Sequence, residues 1–218
     1  MFKTAEISER VLGGIMLNTV KVAASVIILL FLTGCDSPSL TPLNSGDVIV
    51  AFGDSLTQGV GVDKQSSYPS ILSNLTGLPV INAGISGETT DEGLKRFQSV
   101  LDKYKPALVV LLEGGNDILR NREYSTIKSN LENMITTAKG HGIQVVLIGV
   151  PEKKLFSSSA PLYHDLAEKH NLVFDPDTVG SLMRSPGKKS DSIHFNERGY
   201  AALAEAIYQI LLKNGAIE

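Results

Sequence analysis

Five short apolar runs, separated by segments with helical spacing, constrain the fold of this chain more than any other feature. They are Val48–Phe52, Val80–Ala83, Leu108–Leu112, Val145–Val150 and Leu172–Phe174. Apart from Asn82 they are continuous instead of alternating, the pattern of a strand covered on both faces. The intervening spacing predicts helices over Tyr68–Leu75, Thr90–Leu101, Tyr124–Lys139, Pro161–His170 and Glu197–Leu212. In the third of these, Ile127, Leu131, Met134, Ile135 and Ala138 fall on one face. Strand–helix alternation of this kind predicts an α/β domain with a parallel sheet between two helix layers. Ligands of such sheets bind at the carboxyl ends of the strands, so the residues after each apolar run are where chemistry is expected.

The chain has 218 residues, 43% of them hydrophobic, enough for one buried core and a short remainder. We find no internal repeat and no second domain. That remainder reads as an address. Lys21 precedes an apolar stretch, Val22–Leu32, interrupted only by Ser25 and followed by Thr33-Gly34-Cys35. A basic residue, a short apolar core and small residues before a cleavage point are the parts of a secretory signal. The stretch is shorter than the roughly 20 apolar residues a membrane-spanning helix needs. Leu32-Thr33-Gly34-Cys35 resembles the bacterial lipobox, which implies cleavage before Cys35 and acylation of that residue, with several chains giving stable anchoring. The expected organisation is a signal peptide over 1–34, a lipidated Cys35 with a flexible tether to residue 46, and a catalytic domain over 47–218. Asp36–Gly46, rich in Ser, Pro and Thr, is the basis for the tether. Met16 would start a more ordinary signal than Met1, since Glu6 and Glu9 precede it. Asp36 resembles an inner-membrane retention signal, and the choice of membrane stays open.

Four blocks follow the apolar runs or precede the last helix. Gly53-Asp54-Ser55-Leu56-Thr57-Gln58-Gly59 follows the first run and presents a serine at a strand end. Asn82-Ala83-Gly84-Ile85-Ser86-Gly87 follows the second, where Gly84 offers a backbone N–H unobstructed by a side chain. Gly114-Gly115-Asn116-Asp117 follows the third and supplies an amide donor. Asp191-Ser192-Ile193-His194 stands before the last helix, and its spacing on a helical turn would put Asp191 beside the His194 ring. Serine is a weak nucleophile that needs a base. Imidazole can take and return a proton near neutral pH, a carboxylate can hold its other nitrogen, and a tetrahedral oxyanion needs aimed donors. Ser55, His194 and Asp191 meet the first three needs. The Ser55 N–H, the Gly84 N–H and the Asn116 amide are the expected oxyanion donors.

These blocks resemble the SGNH subgroup of the GDSL hydrolases, with Ser55 in GDSLTQG, Gly84 in NAGISGET, Asn116 in GGND and His194 in DSIH. The resemblance runs from Val48 to Leu212. It implies a flavodoxin-like three-layer α/β/α sandwich with five parallel strands in the order 2-1-3-4-5, and a serine ester hydrolase of the arylesterase, lysophospholipase or thioesterase type that needs no cofactor. Ile118, Leu119, Leu155 and Phe156, with Val60 and Val62, fall on loops of the active face and are the expected lining of an acyl groove. Partners are then a small acyl ester or lysophospholipid and, through the anchor, a membrane. An O-acetylesterase of cell-wall or exported polysaccharide is the main alternative, and a non-catalytic acyl-lipid-binding lipoprotein a third reading.

Other classes find little support. Net charge is −3 and no Lys/Arg stripe is present, which gives no footprint for nucleic acid. One cysteine and no His/Asp/Glu pair at ligand spacing leave no metal site. His141, His164 and His170 read as surface residues, Asp54 and Asp117 as loop braces, and Gly53, Gly59, Gly87, Gly114 and Gly115 as turn residues. Glu113, at the end of an apolar strand, is either a buried brace or a charge at the site's edge.

Overall fold

The computed structural model describes residues 38–153 and 158–218. The apolar N-terminal stretch, Cys35, Leu155 and Phe156 lie outside the described residues. Five strands, β1 (Ile49–Gly53), β2 (Val80–Gly84), β3 (Leu108–Leu112), β4 (Gln144–Ile148) and β5 (Val173–Asp175), form one parallel sheet in the order β2-β1-β3-β4-β5. Register is set by pairs such as Ile49 with Val80 and Leu108, and Leu108 with Gln144. The two strands with unbroken apolar sequence and full burial, β1 and β3, sit side by side in the interior. β2, with Asn82 exposed, is an edge strand.

The helices are α1 (Ser55–Gln58), α2 (Tyr68–Thr76), α3 (Thr90–Tyr104), α4 (Gly115–Leu119), α5 (Tyr124–Gly140), α6 (Pro161–His170), α7 (Thr178–Met183) and α8 (Glu197–Lys213). α2 packs with α8, while α3, α5 and α6 pack together, which gives a helix layer on each side of the sheet. Local signals begin and end these helices. Glu92 reaches back to accept from the Thr89 N–H at 2.9 Å and so opens α3. Pro161 opens α6, and Asn171, in the left-handed region at φ 49°, closes it. The inward faces bury Phe52, Phe97, Leu111, Ile127, Leu131 and Tyr163 almost completely. Truncating such a core residue to alanine costs about 2–5 kcal/mol.

One expectation is corrected. The stretch from residue 38 to 46 is no free tether. Leu40 and Leu43 pack against the core, and their N–H groups donate to Asn214 O at 2.9 Å and Ala216 O at 2.8 Å. Two leucines three residues apart are enough to dock a segment whose Ser, Pro and Thr content suggested flexibility. The domain therefore begins by Pro38, not at residue 47. Among the described residues no helix is long and apolar enough to cross a membrane.

Candidate active site

Ser55 opens α1 directly after β1 and is 8% exposed. Asp54 caps the helix by accepting from the Leu56 N–H at 3.0 Å. Neither the Ser55 N–H nor its Oγ has a hydrogen-bond partner among the described residues. Asn116, the second residue of α4, donates through Nδ2 to Glu88 O at 2.9 Å and contacts Asp54 Oδ2 at 3.4 Å. Asp117 is fully buried and accepts from the Thr90 N–H at 2.8 Å and the Thr90 hydroxyl at 3.0 Å, which ties α4 to the start of α3.

Beneath these groups lies an ion pair between buried Glu88 and partly exposed Arg96. Arg96 donates to both carboxylate oxygens of Glu88, and to Ala83 O at 2.8 Å and Gly53 O at 3.5 Å at the ends of β2 and β1. Its guanidinium sits 4.0 Å over the Phe52 ring. One side chain thus joins two strand ends to the turn that holds Asn116. Burial, opposed by the Leu56 N–H bond and the nearby His194, pushes the Asp54 carboxyl up to about 6. Glu113 is completely buried, and among the described residues its oxygens have no partner at full hydrogen-bond geometry; burial, then Asp54 and Glu88, opposed by the Gly114 N–H and Arg96, raises its pKa well above the carboxylate range. It is a buried group, not a charge at the site's edge.

The candidate base comes from a different kind of structure. Asp191 Oδ2 accepts from His194 Nδ1 at 2.7 Å, the ring tautomer being assigned from this bond. Asp191 Oδ1 accepts from the Ile193 and His194 N–H groups at 2.8 and 2.7 Å. The pair is held by an Asx-type turn, not by the helical turn its spacing suggested. The bond to His194, then the two backbone bonds, lower the Asp191 pKa to about 2.

Two contacts bring this loop to the serine loop. Tyr200 Oη donates to Val60 O at 2.8 Å. A side chain on Gly61, at φ +98°, would strike Ser190 Oγ at 2.4 Å. Ile193 lines the same cavity as Ser55. No Ser55–His194 hydrogen bond is formed among the described residues; in apo enzymes such bonds are commonly long and close with substrate.

That cavity, of about 370 Å³, is lined by Ser55, Leu56, Asn116, Ile118, Leu119, Val150, Pro151, Met183 and Ile193, with Lys153 and Arg184 also contributing. Lys153 donates to Leu119 O and to Asn121 Oδ1, at 2.8 Å for the latter, and clasps the segment after α4 to the segment after β4. Ile118 and Leu119 lie where the sequence suggested. Val60 and Val62 instead line a second cavity with Gln58, Gly84 and Ile85.

Gly84 is the second correction. Its N–H donates to Asn82 Oδ1 at 3.0 Å, and an added Cβ would lie 2.2 Å from the Gln58 nitrogen, so this glycine permits α1 to pack on β2. Gly87, with φ 80°, has an N–H without a partner among the described residues and directly precedes Glu88, whose carbonyl holds Asn116. From sequence alone it reads as a turn residue. The usable signal was its place in the turn between a strand and a capped helix, where a backbone N–H escapes the ladder. Val150, Pro151, Met183 and Ile193 were also missed, and their positions after β4 and β5 were the available clue.

The remaining histidines lie apart. His141 contacts Gln98 at 3.2 Å, His164 meets the Phe174 ring edge-on at 4.9 Å, and His170 bonds Glu132 at 3.0 Å. His170 is mostly buried, with its side chain 13% exposed, because this bond draws it inward. No cluster of His, Cys, Asp and Glu that could hold a metal occurs among the described residues.

Comparison with known proteins agrees with this architecture. The model of the GDSL-like Lipase/Acylhydrolase family matches residues 51–202. An arylesterase of Vibrio mimicus is 32% identical over 181 residues, covering 78% of this chain and 90% of that protein. A lipoprotein of Bacillus subtilis named YqeF is 31% identical over 135 residues, covering 56% of this chain and 53% of its own. The crystal structure of AlinE4, an SGNH-hydrolase family esterase, superimposes with a TM-score of 0.61 at 32% identity, covering 78% of this chain and 97% of that one. The chain belongs to the GDSL-like lipase/acylhydrolase family, and with it to the carboxylic ester hydrolases.

Proposed function

We propose that Ser55 is the nucleophile of this ester hydrolase, His194 its base and Asp191 the group that orients His194. His194 Nε2 takes the Ser55 proton as Oγ bonds the acyl carbon. The carbonyl oxygen becomes an oxyanion, which the N–H groups of Ser55 and Gly87 receive together with the Asn116 amide, whose second hydrogen leaves its long 3.4 Å bond to Asp54 Oδ2. Return of the proton to the alcohol or thiol leaving group breaks the ester and leaves an acyl-serine. A water deprotonated by His194 then releases the acid and restores Ser55. The observation that carries this reading is a strand-end serine, unpartnered at both N–H and Oγ, opening into a largely apolar cavity next to an amide donor.

The cavity favours an ester or thioester with an apolar acyl group over an acetyl-only substrate. Its volume and apolar lining suit aryl or medium-chain acyl esters and lysophospholipids. The lipobox-like ending at Cys35 supports export and lipid anchoring, and the named lipoprotein among the relatives agrees with it. A fluorescent fluorophosphonate tests the site. We expect one adduct, on the peptide containing Ser55, absent from Ser55→Ala. Near-normal ester hydrolysis by Ser55→Ala would refute the proposal. A lipid label that persists on Cys35→Ser would refute the anchor.

A further inference from the structure

Residues 38–46 form a strap across one end of the domain. Besides the bonds of Leu40 and Leu43 to Asn214 and Ala216, Gln144 grips Thr41 twice. Gln144 Oε1 accepts from the Thr41 N–H, and its Nε2 donates to Thr41 O at 3.0 Å. Gln144 is the first residue of β4, and Asn214 caps the carboxyl end of α8. These partners mark the amino-terminal edge of the sheet. Ser55, Gly87, Asn116 and the apolar cavity occupy the carboxyl-terminal edge. With about 3.3 Å per residue along β1 and the step on to Ser55, the two edges stand roughly 20 Å apart.

We infer that the strap points the catalytic mouth away from the bilayer that holds the protein, so that the enzyme takes esters from the aqueous phase and not lipids from the leaflet beneath it. This rests on the proposed nucleophile and on acylation of Cys35. Only Asp36 and Ser37 separate Cys35 from Pro38, and three extended residues reach about 10 Å. That reach is shorter than the distance from strap to mouth. A tether running to residue 46 would have let the domain turn over; the docked strap removes that freedom. The substrate class narrows to dispersed aryl or acyl esters and thioesters, and to lysophospholipid monomers that have left a membrane.

Energy transfer to the bilayer tests the orientation without depending on substrate preference. The full-length acylated protein is placed in phosphatidylcholine vesicles carrying a rhodamine-headgroup lipid. A fluorescein fluorophosphonate marks Ser55, and fluorescein maleimide on Thr41→Cys marks the strap. We expect transfer from position 41 to exceed transfer from Ser55 several-fold, and a 30-residue Gly/Ser insertion between Ser37 and Pro38 to abolish the difference. Equal or stronger transfer from Ser55 without the insertion would overturn the inference. Failure of the protein to float with vesicles would count against the anchor, and failure of the fluorophosphonate to label Ser55 against the nucleophile. Both are therefore separable from a wrong orientation.

Discussion

The two halves of the site are built by opposite strategies. The serine half stands on the ends of β1, β2 and β3, over a buried floor of Asp54, Glu88, Glu113 and Asp117. Arg96 joins that floor to two strand ends. The histidine half is a surface turn: the Asp191 side chain is 52% exposed, and the His194 ring is set by one 2.7 Å bond. Oxyanion donors must be fixed before charge develops, and strand ends over buried, closely packed side chains provide that. A base that gives and takes a proton in each half-reaction needs orientation but also small displacement, which a loop provides. Damage to the serine half should therefore lower activity and stability together, whereas damage to the histidine half should lower activity alone.

Removing the proposed base gives the largest expected effect. His194→Ala should lower kcat by roughly 10⁶, and Asp191→Ala by roughly 10⁴, both with a melting temperature within a few degrees of the parent by calorimetry. A large loss of stability in either would erase the contrast. Asn116→Ala should cost about 10²–10³ in kcat with little change in KM, read from initial rates on p-nitrophenyl esters. Arg96→Ala should lower both kcat and stability, by up to about 3–5 kcal/mol, because Glu88 is left buried without its partner. Arg96→Lys should recover part of the stability and less of the activity, since Lys cannot fill the bidentate geometry. Urea denaturation and steady-state kinetics on the two variants would sharpen the comparison.

Smaller effects concern pH and chain length. Glu113 has a raised folded pKa, so ionising it disfavours the folded state: stability falls as pH rises from its unfolded value through its folded one. Glu113→Gln should be stabilised relative to the parent more at pH 8 than at pH 4. Asp191, with its pKa lowered to about 2, has the opposite sign, and stability from its bonds is lost as pH falls from about 4 toward 2. Urea titrations at several pH values distinguish the two. Leu119→Ala should raise KM for octanoyl esters more than for acetyl esters, by a few-fold; equal changes would remove Leu119 from the acyl wall.

The interior of the sheet was legible because burial on both faces writes itself into sequence as apolar runs. Leu108–Leu112 was found at its true bounds, and the other strands within two residues. The long helices were legible from their spacing, but α1, α4 and α7, each of one or two turns on a loop, were not. At the site, residue type identified Ser55, Asn116, Asp191 and His194 as candidates. It could not distinguish Gly84 from Gly87, because that choice depends on which N–H the edge strand leaves unpaired, and Asn82 takes that of Gly84. The strap escaped notice for a related reason: two docking leucines carry no periodicity.

Rapid-quench mass spectrometry during hydrolysis of p-nitrophenyl octanoate tests the central chemical claim most directly. We predict a transient mass increase of one octanoyl group, mapped to the peptide containing Ser55, formed and lost at rates that account for turnover. Turnover at the normal rate with no acylated species, or with the acyl group on another residue, would contradict it.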